Sequence, residues 1–331
     1  VTLTYKKYCI LGGAGSFAIQ TAKHLLEDED ATVLGVGRNP IRARPWAFTL
    51  GIEDHPRFKY RAHHVTHELD ELLETLDQEQ PEAIINFAAQ GEGAVSWKHS
   101  WRFFETNSVT LPRLVEALSS RPWLKRFIQI GTSEMYGSVA APAKENAPIK
   151  PTSPYAVSKV AFDMYLQSSR KVVPWNIIRP SNCYCPGQLL HRVIPRAIVA
   201  GLIGDRIPLH GGGRAKKSYL HAMDLARAIK LVANDAPLYQ IFNVGPDEPT
   251  SIREVVERCA DAVGLDFEFL CEESPGRPGE DSQYWLDSSS IKLLGWKQEI
   301  GWNKGLAEMV EWGEKYLPVL RGWPTDYKLR A

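Results

Sequence analysis

An α/β fold is what this sequence predicts: a doubly wound, mostly parallel sheet with a smaller mixed lobe toward the C-terminus. Three observations lead there. Apolar runs alternate with helical patterns as far as residue 180 of 331. A glycine-rich turn separates the first apolar run from the first helical one. Beyond Pro180 the chain changes to Gly- and Pro-rich loops such as "PSNCYCPGQ" and "PLHGGGRAKK". Strands alternating with helices need crossovers, and crossovers make the strands parallel.

The elements follow in order. "KYCILGG" is an apolar run entering a turn, so a strand; "SFAIQTAKHLLEDED" has apolar residues at helical spacing. "ATVLGVGRN" and "FKYRAHHV" are the second and third strands, the latter followed by a helix around "ELDELLETLDQ". "EAIINFAA" is the fourth strand. "RFFETNSVTLPRLVEALSS" is helical, broken or re-entered near Pro112, because proline removes a helix hydrogen bond. "RFIQIG" is the fifth strand, "YAVSKVAFDMYLQSSRK" a long helix and "WNIIRP" the sixth strand. Further helices are expected at 193–200, 223–233, 252–263 and 305–316, and "YQIFNVG" reads as another strand. Residues 1–180 form the expected dinucleotide-binding domain, with returning segments near 215–245. Residues 181–331 form an interleaved substrate lobe.

The bulk numbers exclude some classes. Hydrophobic residues make up 44% and charged residues 24%, with a formal net charge of +0. No charge excess invites nucleic acid or an anionic membrane, and neither is expected as a partner. Five scattered cysteines do not make a disulfide framework. Cys183 and Cys185 have no second cysteine pair, and His63, His64 and His67 lack supporting ligands, so no metal is expected. No membrane-length apolar run or signal peptide is seen, which makes a cytoplasmic protein the expectation.

In "ILGGAGSFA", Gly12, Gly15 and Ala18 form a GxxGxxA pattern between strand and helix. Glycine lets backbone approach a phosphate, and the helix N-terminus at Ser16 and Phe17 supplies N–H donors and positive dipole. In this context the pattern reads as a dinucleotide site of Rossmann type. The second strand's end selects the cofactor: an acid would bind a ribose 2′-hydroxyl, an arginine a 2′-phosphate. Here "GVGRNPIRAR" offers Arg38, Asn39 and Arg42 and no acid. NADP is therefore favoured, with NAD the alternative.

"SPYAVSKVAFD" puts Tyr155 and Lys159 four apart on one helix face. A phenol titrates near pH 10, too high for a neutral-pH base. An adjacent ammonium, with the positive charge of a nicotinamide, would lower it, so that Tyr155 could take a hydroxyl proton while hydride leaves the same carbon. Lys159 would also hold the nicotinamide ribose. At the end of the fifth strand, "GTSEMYG" sets Thr132, Ser133 and Glu134 in a row. Thr132 would bridge substrate oxygen and Tyr155.

With "GGAGSFA", "NFAAQ", "TSEMYG", "YAVSK", "RPSNCYCPGQ" and "RPGED" in this order, the chain resembles an extended short-chain dehydrogenase/reductase of the nucleotide-sugar type. Within it, "TSEMYG" is similar to the GDP-mannose and TDP-glucose 4,6-dehydratases. The resemblance implies a tightly held dinucleotide lined also by His64, Val65, Ala88, Ala89 and Gln90, and a nucleoside diphosphate sugar as substrate. It implies that Tyr155 drives C4 oxidation, that Glu134 removes the C5 proton, and that water leaves C6 helped by Glu134 or through Ser133. Hydride then returns to C6, giving a 4-keto-6-deoxy sugar. Asn182 and Arg277 would meet the substrate diphosphate, with Lys217 and Arg214 nearby, and a homodimer would form through a four-helix bundle. The TDP-glucose enzymes carry Asp where Ser133 stands, a second Asn where Cys183 stands, an Arg where Lys217 stands and an Asp where His64 stands. Epimerase and UDP-glucuronate decarboxylase remain open as alternatives, and more remotely a non-catalytic dinucleotide sensor.

Overall fold

The computed structural model describes residues 4–39, 52–168, 172–275 and 282–326. The N-terminal part runs β1 (Lys7–Leu11), α1 (Ser16–Leu25), β2 (Thr32–Gly37), β3 (Phe58–Ala62), α2 (Leu69–Glu79) and β4 (Ala83–Asn86). It continues through α3 (Gly93–Ser96), α4 (Ser100–Phe104), a π-helical turn (Glu105–Thr110), α5 (Leu111–Leu118), β5 (Arg126–Ile130), a 3₁₀ turn (Ser133–Tyr136), α6 (Pro154–Ser168) and β6 (Trp175–Pro180). Beyond lie β7 (Asn182–Tyr184), α7 (Val193–Ile203), β8 (Ile207–His210), β9 (Lys216–Lys217), β10 (Tyr219–His221), α8 (Ala222–Asp235) and β11 (Ile241–Val244). The chain closes with β12 (Thr250–Ser251), α9 (Ile252–Ala262), α10 (Phe267–Leu270), β13 (Cys271–Ser274), α11 (Ser289–Leu293) and α12 (Trp302–Leu320).

Seven strands make one sheet in the order β11-β6-β5-β4-β1-β2-β3, every pair parallel. The chain winds outward from β1 to β3, then returns to β4 on the other side of β1. That reversal opens a crevice at the carboxyl ends of β1 and β4, where open α/β sheets bind ligands.

Period-two alternation gives the sheet two apolar faces. Cys9 and Leu11 join Leu72, Leu76, Leu114, Phe127, Phe162 and Trp175 on one side, beneath α2, α5 and α6. Tyr8 and Ile10 join Ala18, Ile19, Ile128 and Ile178 on the other, beneath α1 and α8, which pack together. This second core continues without a break into Ile194, Ile198, Val255, Val256, Leu306 and Met309 of α7, α9 and α12. Three small two-stranded sheets, β10-β7, β12-β9 and β13-β8, roof the carboxyl side. Helix α9 starts on a capping box in which Ser251 and Glu254 satisfy each other's backbone donors.

The strands are shorter than the apolar runs. "EAIINFAA" stops pairing at Asn86, because the Asn86 side chain turns back to accept from the Ala88 amide at 3.1 Å. Around Pro112 the helix is not broken: α4 passes through the π turn straight into α5. Pro112 is the second residue of α5, directly after the π turn, so its missing N–H falls where the helical hydrogen bonding changes register. The Thr110 hydroxyl donates to the Glu105 carbonyl at 2.9 Å across the bulge.

Among the described residues no helix is long and apolar enough to cross a membrane, and no group of three or more His, Cys, Asp or Glu could hold a metal ion.

Candidate active site

The glycine turn after β1 is built for close approach. Gly12 has φ +77°, and a Cβ there would come within 2.9 Å of the Ala88 nitrogen. A Cβ on Gly13 would lie 2.7 Å from Gly35 Cα. Gly15 caps α1 with backbone alone, and Gly12, Gly15, Ser16 and Phe17 line a cavity of about 220 Å³ at that helix end. N–H donors, a positive dipole end and a space cleared of side chains suit a pyrophosphate. The residues present therefore fit a dinucleotide.

At the far end of β2, Arg38 is half-buried and Asn39 exposed. The Tyr60 hydroxyl donates to the Asn39 carbonyl at 2.6 Å. His64 stacks on His67 with ring centroids 4.3 Å apart. Burial, then the charges of His67 and Arg38, push the His64 imidazole below its ordinary value. Three basic side chains thus gather at this pole. Val65 packs on the apolar core beside α2. Arg42 lies outside the described residues.

Beyond β4, Ala89 faces the main cleft and Gln90 is buried. The Gln90 backbone is held twice by Asn107, whose Oδ1 accepts at 2.9 Å and whose Nδ2 donates at 3.0 Å. The same Nδ2 donates to Ser158 Oγ at 3.0 Å. Asn107 sits on the π turn and ties the β4 exit to α6; the local sequence pattern, apart from the re-entry at Pro112, does not signal it. π-bulges recur at functional sites.

The main cleft, about 750 Å³, has Thr132, Ser133, Glu134, Tyr155, Lys159 and Asn182 in its walls. Its floor is the end of β5. Thr132 caps the 3₁₀ turn by accepting from the Glu134 amide at 3.2 Å. That tight turn swings the Glu134 carboxylate back over the cleft, where a Cβ on Gly93 would stand 3.3 Å from Oε2.

Lys159 is buried and its ammonium donates to the Ile130 carbonyl at 2.7 Å. Burial pulls it down to about 8, partly opposed by Asp163. The Tyr155 phenol is pushed well above its ordinary value, by burial first and the Glu134 charge second, with a hydrogen bond to Thr132 and the charge of Arg192 pulling back. The lowering expected from the Lys159 ammonium is tied to a nicotinamide's positive charge as well. In the protein chain alone, burial and Glu134 dominate, while the ammonium is committed to a backbone carbonyl.

Below this surface, Asp163 and Arg179 form a buried ion pair at 3.2 Å. Arg179 also donates to the Tyr136 hydroxyl at 2.7 Å and the Glu145 carbonyl at 3.0 Å.

On the lobe side, Lys217 is buried in the cleft wall, its ammonium 3.8 Å from the centroid of the Tyr284 ring. Arg214 is exposed and does not line the cleft, although its neighbours Gly213 and Ala215 do. Arg277 lies outside the described residues. A trio that sequence reasoning missed also lines the cleft: Glu92, His191 and Arg192. Glu92 Oε2 stands 3.1 Å from His191 Nε2 and 3.2 Å from an Arg192 nitrogen. The one local hint was "GEG", since Glu92 takes φ +84° between two glycines.

A profile of the family described as GDP-mannose 4,6 dehydratase matches residues 9–309. The dTDP-glucose 4,6-dehydratase of Streptomyces niveus is 31% identical over 235 residues, 70% of this chain and 69% of that protein. A trifunctional UDP-glucose 4,6-dehydratase/3,5-epimerase/reductase of Arabidopsis thaliana is 29% identical over 240 residues, 71% of this chain and 36% of that protein. The matched region thus spans about a third of that relative's length. The crystal structure of dTDP-glucose 4,6-dehydratase from Bacillus anthracis in complex with NAD aligns with a TM-score of 0.84 and 26% identity, over 94% of this chain and 97% of that one.

Proposed function

This chain belongs to the GDP-mannose 4,6 dehydratase family, of the extended short-chain dehydrogenase/reductase type, and we propose that it is a nucleotide-sugar 4,6-dehydratase that works with NADP. One observation carries the reading: the Glu134 carboxylate shares a cleft with the Thr132–Tyr155–Lys159 group. Oxidation and reduction at C4 need the hydroxyl, phenol and ammonium. A carboxylate beside them is needed when a proton must leave C5.

When bound, the dinucleotide supplies hydride acceptance at C4 and hydride donation at C6. The chain does the rest. Thr132 orients the C4 hydroxyl toward Tyr155, which accepts its proton. The phenol is held high by burial and Glu134, so a positive charge brought beside it has a large effect in the useful direction. Lys159, held at the last residue of β5, fixes the helix that carries Tyr155. The C4 ketone acidifies C5, and Glu134 takes that proton. Loss of the C6 hydroxyl completes the elimination, and Glu134 returns its proton to C5 at the end.

Arg38 supports NADP over NAD, because a 2′-phosphate needs a cation at the end of β2. Asn182 and Lys217 suit a nucleoside diphosphate sugar, and Tyr284 offers an aromatic face on the same wall. A decarboxylase would need a free cation for a C6 carboxylate. Arg192, in the wall of the same cleft, already faces Glu92, which weighs against that alternative. Exposed Val109, Val157 and Met164 on the π turn and α6 suit the packing of a second copy, a homodimer.

The test is incubation of the purified protein and NADP with GDP-, TDP-, UDP- and CDP-hexoses, read by mass spectrometry. Loss of one water with a 4-keto-6-deoxy product supports the reading. Unchanged mass with an inverted centre, or loss of carbon dioxide from a hexuronate, replaces it.

A further inference from the structure

We propose that His191, oriented by Glu92, is the acid that protonates the departing C6 hydroxyl; this rests on the dehydratase reading above. Elimination breaks two bonds on adjacent carbons, and hydroxide leaves poorly unless it takes up a proton. Glu134 is the base for C5 and holds that proton until it is returned. Ser133, the neighbouring side chain, is a buried hydroxyl and too weak an acid to act alone. A second proton-handling group has to come from another element.

The structure brings one there. His191 precedes α7 and Glu92 precedes α3, 99 positions apart in sequence, yet their side chains meet at 3.1 Å. Both line the cleft that holds Glu134 and Tyr155. The Glu92 loop abuts Glu134 directly, since a Cβ on Gly93 would lie 3.3 Å from the Glu134 carboxylate. Glu134, Arg192 and Glu92 all lie close enough for their charges to act on the Tyr155 phenol. His191 and Arg192 also line the cavity at the glycine turn, so the trio stands where cofactor and sugar would meet. Glu92 reaches this position through φ +84°, a conformation that is costly for a non-glycine residue and clusters at functional sites.

The roles divide by charge. Arg192, 3.2 Å from the same Glu92 oxygen, shares that carboxylate with His191. The C5–H proton passes to Glu134, a C5–C6 double bond forms, the C6–O bond breaks, and the oxygen leaves as water with the His191 proton. The proton that Tyr155 took from the C4 hydroxyl replaces it, so the cycle neither gains nor loses protons. Glu92 is a positioning residue; His191 is the catalytic one.

The experiment compares GDP-mannose, dTDP-glucose and UDP-glucose with their 6-deoxy-6-fluoro analogues, in deuterated buffer, using the holoenzyme and its H191N and E92Q variants. Fluoride leaves without a proton. H191N should lose about 100-fold or more on the hydroxy sugar that the unaltered enzyme dehydrates, and less than about 3-fold on its fluoro analogue. Recovered hydroxy sugar should carry deuterium at C5, because Glu134 still removes that proton and, with elimination stalled, exchanges it with the buffer before returning it. E92Q should show the same pattern, more weakly. Equal losses on both sugars, or undiminished dehydration of the hydroxy sugar, would overturn the proposal alone. An unaltered enzyme that dehydrates neither kind of sugar overturns the dehydratase reading, and the acid with it.

Discussion

The ammonium of Lys159 donates to the carbonyl oxygen of Ile130 at 2.7 Å, fastening α6 to the last residue of β5. Two residues beyond that carbonyl stands Thr132, and four residues before that ammonium stands Tyr155. One hydrogen bond therefore sets the separation of the hydroxyl and the phenol.

The buried charge on Lys159 carries a stability cost. Its value falls from the ordinary 10.5 to about 8, so between those limits the unfolded chain holds a proton that the folded chain has released. Stability contributed by this group therefore rises with pH across that window. Lys159→Met should melt no lower than the unaltered protein at pH 7, and its relative advantage should shrink as pH rises toward the upper limit. Oxidation at C4 should be lost. Thermal melts at several pH values check this, and a large drop in melting temperature at pH 7 would contradict it.

The phenol of Tyr155 should titrate well above its ordinary range in the cofactor-free protein, because burial and Glu134 both disfavour the phenolate. Difference absorbance between the unaltered protein and Tyr155→Phe isolates this group from the other eleven tyrosines. Glu134→Gln should shift its titration downward, since a negative neighbour is removed. In turnover, Tyr155→Phe should cost about 10²–10⁴-fold. A phenol that titrates unchanged in Glu134→Gln would show that the two groups do not interact.

Asp163 and Arg179 are both almost fully buried, with side-chain exposures of 2% and 1%. Truncating one member leaves the other charged and dry. Asp163→Ala should destabilise the fold by about 3–5 kcal/mol, and Asp163→Asn by less, because it retains an acceptor for the guanidinium. Urea unfolding measures both. Equal effects would assign the cost to packing instead of charge.

Arg38 is predicted to select the cofactor. Arg38→Ala should weaken NADP binding about 10- to 100-fold, the loss of one charge-assisted hydrogen bond, and change NAD binding by less than about 3-fold. Fluorescence titration with each reduced dinucleotide checks this. A parallel loss for both would remove Arg38 from the 2′-phosphate.

What could be read from the chain was local in its physics. A glycine turn between strand and helix, an i, i+4 pair on a helix face, and two hydroxyls and a carboxylate at a strand end all declare themselves through neighbours a few residues apart. The apolar runs of six of the seven sheet strands did so as well, because a parallel strand buried on both faces has no polar side to disguise it; edge strand β3, FKYRA, is largely exposed. Tertiary structure decided what depends on distance and burial. Glu92 and His191 meet only because the β4 exit and the start of α7 converge on one cleft. Arg214 turns outward while Lys217, three residues on, is buried under Tyr284. The charge state of Tyr155 is set by desolvation and by a carboxylate 21 positions away, and neither a solvent boundary nor a Coulomb field is written in the order of the residues.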